Sequence, residues 1–128
     1  MKYLIDNNLP HRLAKALNAL EVDNEVYHLT DKFAADAKDI DWLPKLAAEG
    51  DWAVIAADHP KGEHERRAWN DTRLKVFFLA TGWRDLTYWP KCAKLIKVWP
   101  VITHTASHIR GAHRYQVPVR GEKLISLS

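Results

Sequence analysis

Short apolar runs alternate along this chain with longer segments whose apolar residues recur every three or four positions. The runs are Lys2–Asp6, Val26–Leu29, Trp52–Ala57 and Lys75–Leu79. Each is long enough for a buried strand and too short for a helix that packs on both sides. Strands joined by helices close most simply as a parallel sheet with helices on both faces, because a parallel connection needs a crossover element. Asn8 is placed to cap the first helix, with Pro10 in its first turn, and Leu9, Leu13, Leu17 and Leu20 form its apolar stripe. Thr30–Lys38 reads as a polar loop containing Phe33. Asp39 opens a second helix that buries Leu43, Leu46 and Ala47 and stops at Gly50. Pro44 suits only a first turn, which moves the expected start to Asp41 or Trp42. Lys61–Asn70 reads as a charged helix, and Trp89–Val98 as another with Pro90 near its start and Val101–Ile109 continuing it beyond Pro100. Tyr115–Val119 and Lys123–Leu127 flank Arg120-Gly121-Glu122 as a terminal hairpin. No repeat or linker interrupts the pattern, so residues 1–128 are expected to form one domain.

A chain of 128 residues buries roughly two thirds of its unfolded surface, enough for one core. No stretch approaches ~18 apolar residues, which excludes a membrane span, and the apolar start meets Asp6 too early for a secretory signal. Cys92 is the sole cysteine, so neither an internal disulfide framework nor a Cys-based zinc site is available, and a reduced, cytoplasmic protein is expected. The formal charge is +3 before seven histidines are counted. Its distribution is uneven: between Ala93 and Ser128 three Lys, three Arg and three His face a single acid, Glu122, while acids gather between Asp23 and Asp58. Such a division can supply metal ligands from one half and phosphate contacts from the other.

The acids are the informative residues. Asp6 and Asp58 each follow an apolar strand, and in an open α/β sheet the carboxyl ends of parallel strands line the ligand crevice. Asp39 and Asp41 begin a helix entered from the same edge. Carboxylates gathered there raise one another's pKa, and a bound cation relieves the repulsion at least cost. All-oxygen ligation suits Mg²⁺ or Mn²⁺, which also bind substrate phosphates. Each acid has a plainer reading as well: Asp39 or Asp41 as a helix cap, Asp58 before His59-Pro60 as a turn former. Asp6 in Asp-Asn-Asn has less structural use.

Leu4-Ile5-Asp6-Asn7-Asn8-Leu9-Pro10, followed by Arg12-Leu13-Ala14 and Ala16-Leu17, resembles the opening of PIN-like domains of the VapC-type toxin branch. Further similarity runs through Val26-Tyr27-His28-Leu29-Thr30, Asp39–Trp42-Leu43-Pro44, Val54-Ile55-Ala56-Ala57-Asp58, Val76-Phe77-Phe78-Leu79, Trp99-Pro100 and Tyr115–Lys123. The resemblance implies a three-layer α/β/α sandwich with a mostly parallel sheet. It implies Mg²⁺- or Mn²⁺-dependent hydrolysis of RNA, in many relatives by the toxin of a toxin–antitoxin pair, with a cognate antitoxin and a homodimer as partners. The ligand set would be Asp6, Asp58, and Asp39 with Asp41 as its alternative, while Asn7 would orient a ligand or water. Relatives usually carry Thr-Arg-Asp where this chain has Ala56-Ala57-Asp58, so a hydroxyl and a guanidinium are missing here.

Lys61, Arg66 and Arg67 lie close enough after Asp58 to clamp a phosphate, and Arg110, Arg114, Arg120 and Lys123, with Tyr115 between, can track an RNA backbone. A solvated basic surface is the plainer reading of both sets. His104 and His108 share a helical face but lack the glutamate of a His-Glu-x-x-His zinc motif. Trp42, Trp52 and Trp99 are expected in the core and Trp83 and Trp89 partly exposed. The rival from another class is a non-catalytic PIN-like module that binds nucleic acid or a protein. A phosphoacceptor receiver would need a second early acid and a lysine after Leu79, where the chain has Ala80-Thr81.

Overall fold

The computed structural model describes residues 1–127. The apolar runs form strands: β1 (Lys2–Ile5), β2 (Glu25–His28), β3 (Trp52–Ala56) and β4 (Lys75–Leu79), followed by β5 (His113–Val117) and β6 (Ile125–Ser126). Between them lie α1 (His11–Leu20), α2 (Asp39–Glu49), α3 (Gly62–Asp71) and α4 (Tyr88–His108), with 3-10 turns at Leu29–Asp31 and Thr81–Asp85. The strands make one sheet in the order β2-β1-β3-β4-β5-β6. Every neighbouring pair is parallel except β5 with β6, which run antiparallel as the terminal hairpin.

Alternation along the strands divides the core in two. Tyr3, Ile5, Ala53, Ile55, Phe77 and Leu79 pack with Leu13, Leu17, Leu95, Val98 and Ile102, which places α1 and α4 on one face. Leu4, Val54, Ala56, Val76 and Phe78 pack with Trp42, Leu43, Leu46 and Trp69, which places α2 and α3 on the other. Both faces being covered, the central strands are apolar throughout, as in a fully buried parallel sheet. The result is a three-layer α/β/α sandwich with a mostly parallel sheet. Among the described residues, no helix is long and apolar enough to cross a membrane.

Several local expectations need correction. Pro44 lies inside α2, which begins at Asp39 rather than near Asp41 or Trp42, whereas α4 runs unbroken through Pro100 as expected. A proline leaves the carbonyl four residues earlier without its bond. Those carbonyls belong to Ile40 and Ile96, both surface residues at 51% and 38% exposure, where solvent substitutes for the missing donor. Asn8 does not cap α1; the helix starts after Pro10, which makes no side-chain cap bond. The second hairpin strand is only Ile125–Ser126. Trp83 is buried at 2% exposure instead of being partly exposed, because its indole N–H reaches the Val117 and Pro118 carbonyls, while Trp89 is 76% exposed.

The turn carrying Trp83 fits tightly against the loop after β5. A methyl group built on Gly82 would stand 2.6 Å from Val119 Cγ2. Gly82→Ala is therefore expected to lower unfolding stability by about 1–3 kcal/mol in urea titration, the usual range for overpacking. Combined with Val119→Ala, the loss should be smaller than the sum of the two single losses.

Candidate functional site

In the order β2-β1-β3-β4-β5, the chain leaves β1 toward one edge of the sheet and then returns across it to the other. The carboxyl ends of β1 and β3 therefore form the switch point, where the flanking connections diverge and leave a crevice. Ile5 pairs with Ile55, so Asp6 and Asp58 follow two adjacent strand ends. The Asp6 backbone N–H bonds the Ile55 carbonyl at 3.0 Å, and Asp6 Oδ2 accepts the Ala57 N–H at 3.1 Å. Both bonds tie Asp6 to the start of the Asp58 loop. Burial raises the Asp6 pKa above its ordinary value; bonds from the Ala57 and Asn7 backbone oppose this, and the charges of Asp39 and Asp58 add to the rise.

Asp58 is compensated differently. Asn8 Nδ2 donates to its Oδ2 at 3.2 Å, and Arg84 stands 3.6 Å from its Oδ1. Asn8, Asp58, Arg84 and Lys91 line a cavity of about 90 Å³ floored by Leu79 and Trp83. Trp83, held by two carbonyls, seats the turn that presents Arg84.

Asp39, at the start of α2, accepts the Trp42 indole N–H at Oδ1 (3.1 Å) and the Trp69 indole N–H at Oδ2 (3.0 Å). Its pKa is raised by burial, with the two indole bonds opposing and the Glu65 charge adding to the rise. Asp39 lines a separate cavity of about 420 Å³ with Lys38, His64 and Glu65. Asp41, the alternative, is exposed two residues on, on a different face of the helix, and is not among the charges that act on Asp6. Of the two helix-start acids, Asp39 is the one whose charge acts on Asp6.

Asn7, expected to orient a ligand or water, donates from Nδ2 to the Ala35 carbonyl at 3.0 Å, fastening the β1–α1 turn to the loop before α2. That turn is also held from β2, where buried His28 donates from Nε2 to the Leu9 carbonyl (2.8 Å) while Nδ1 accepts the Thr30 N–H. Among the basic candidates, Arg66 on α3 and Arg114 on β5 line one cavity with His59. Lys61, Arg67 and Arg110 are exposed outside it. Sequence reasoning missed Asn8, Arg84 and Lys91; the only signal for Asn8 was its place in Asp-Asn-Asn, and none marked the other two.

For a divalent cation the donor chemistry at the switch point is all oxygen, which fits Mg²⁺ or Mn²⁺. Among the described residues, no three His, Cys, Asp or Glu side chains are gathered closely enough to hold an ion alone. Mg²⁺ commonly takes one or two carboxylates and keeps several waters for substrate phosphates to replace. Asp6 and Asp58 are the carboxylates that would serve in that mode, and the Asp39 charge acts on Asp6.

The sequence model of the PIN-like domain family matches residues 1–81, which include Asp6, Asp39 and Asp58. Comparisons with curated proteins and with solved structures gave no match.

Two substitutions separate the roles of the acids. The Asp6 pKa is raised on folding, so its contribution to stability is fully present below the unfolded value and lost as pH rises through the folded one. In chelator, Asp6→Asn should thus be at least as stable as wild type at pH 7, with its advantage vanishing as pH falls below about 4. Asp39→Asn leaves one buried indole N–H facing another donor and should cost about 1–3 kcal/mol. Asp41→Asn should change stability by less than about 0.5 kcal/mol. Urea unfolding of the three variants measures all of this.

Proposed function

The chain belongs to the PIN-like domain family, and on that premise we propose that it is a divalent-metal-dependent endoribonuclease, the toxin of a toxin–antitoxin pair. The observation that carries the reading is the pairing of Asp6 with Asp58 across adjacent strand ends at the switch point, joined through the Asp6–Ala57 bond. Asp6 and Asp58 would hold Mg²⁺ or Mn²⁺. When bound, the ion supplies Lewis acidity, acidifying water and offsetting charge on the phosphodiester. Asn8 aims the Asp58 carboxylate by donating to Oδ2, leaving Oδ1 toward Arg84. Arg84 brings to the site a guanidinium that Ala56-Ala57 do not provide, placed to exchange its bond with Asp58 for one with an incoming phosphate. Asp39 adds negative charge without leaving its indole partners. The reading carries with it a cytoplasmic location, a cognate antitoxin and a homodimer. Exposed Leu20, Val22 and Ile96, beside the groove between α1 and α4, are apolar surface for such partners.

A second reading, a non-catalytic module that binds nucleic acid or protein, is favoured by the engagement of both Asp39 oxygens with indoles and of Asp58 with Arg84. Cleavage decides between them. A mixed RNA pool should be cut by wild type in Mn²⁺ and not in chelator, and Asp58→Asn should cut it roughly 100-fold more slowly. Equal cleavage by both proteins would remove Asp58 from the site, and no cleavage by either would leave the binding module. In parallel, Mn²⁺ at about 100 times its Kd should stabilise wild type by about 2.7 kcal/mol in thermal unfolding. Asp6→Asn should show no such response.

A further inference from the structure

The face of the sheet that packs on α2 and α3 changes character at β5. Arg114 and Gln116 pair with Val76 and Phe78 and share their face, so polar side chains continue a surface that is apolar on β4. A cavity of about 340 Å³ opens there, lined by His59, Arg66, Asn70, Phe78, Arg114 and Leu127. That volume falls within the ~300–1,000 Å³ typical of small-ligand sites, whereas the cavity at Arg84 and Lys91, about 90 Å³, admits only a group the size of a phosphate. Two features give the larger cavity its chemistry. His59 stacks on the buried Phe78 with ring centroids 5.0 Å apart and planes 15° apart, which holds the imidazole as a flat aromatic wall one residue beyond Asp58. Two arginines from different elements, Arg66 on α3 and Arg114 on β5, line it, and Arg114 is braced by a bond from Nη1 to Asn70 Oδ1.

We propose that this cavity is a nucleotide subsite for single-stranded RNA, with one base against the His59–Phe78 wall and its phosphate between Arg66 and Arg114. The strand then continues from His59 into the crevice at Asp58. Aromatic stacking accepts any base, and guanidinium groups hold phosphates without reading sequence, so the subsite fixes strand position rather than base identity. This assignment rests on the ribonuclease reading only for the identity of the strand. An acidic peptide would use the arginines but gain little from the stacked rings.

The test is fluorescence anisotropy with fluorescein-labelled octauridylate in chelator, over a series of salt concentrations. Arg66→Gln, an exposed position, should weaken binding roughly tenfold and lower the salt slope by about one. Arg114→Gln should do the same. His59→Ala should weaken binding about fivefold or more with the slope unchanged, and His59→Phe should restore it. Lys15→Gln on α1 should bind as wild type. The subsite is overturned if Arg66→Gln loses no more than Lys15→Gln, if His59→Phe loses as much as His59→Ala, or if poly-glutamate competes as well as RNA. Binding read without a divalent cation fails independently of cleavage. Loss in the pocket variants with no cleavage by any form keeps the subsite and removes the nuclease, and cleavage with unaltered binding does the reverse.

Discussion

With Ile5 opposite both His28 and Ile55, β1 is held in parallel register by two neighbours, and the chain leaves it first to one side and later to the other. A slip of one residue in that register would turn Tyr3 and Ile5 into the opposite layer and carry Asp6 away from the Ala57 N–H. The apolar packing of both faces therefore also fixes the polar edge. His28 extends the same register outward, since its ring joins the end of β2 to the Leu9 carbonyl and keeps the turn after Asp6 in place.

The three acids answer burial in three ways. Asp6 has backbone donors and no cation, so burial and its neighbours leave its proton bound more tightly than usual. Asp39 is met by two indole N–H groups, which would otherwise be buried donors without partners. Asp58 has an amide and a guanidinium. Their unequal compensation distinguishes them: Asp39 serves the packing of Trp42 and Trp69 as well as the local field, while Asp6 offers the fold little in return for its burial.

Strands and helices are legible in the sequence where period and burial agree, as in Trp52–Ala56 and Lys75–Leu79. The strand-end placement of Asp6 and Asp58 is legible because each follows an apolar run. What escapes is whatever depends on a partner distant in sequence. Pro44 sits inside α2, where Ile40 four residues earlier is an exposed position, which helical period alone does not reveal. Trp83 is buried because two carbonyls near the end of β5 accept its indole N–H. Asn8 looks like a cap until Asp58, fifty residues on, is brought beside it. The same holds for Asp39, whose second oxygen is met by the indole of Trp69 from α3.

The segment matched by the family ends at Thr81; Asn8 and Arg66 lie within it, and the other charged groups beside Asp58 and the His59–Phe78 rings come after it. Arg84, Lys91 and Arg114 all lie in the remaining third of the chain. The acids and most of their counter-charges are thus encoded in separate stretches, brought together by the pairing of β4 with β5 and by the Trp83 turn seated against the end of β5. The carboxylate edge can stay constant while the later stretch diversifies, so grip on a polyanion can be retuned by substitutions that never touch the strand-end acids.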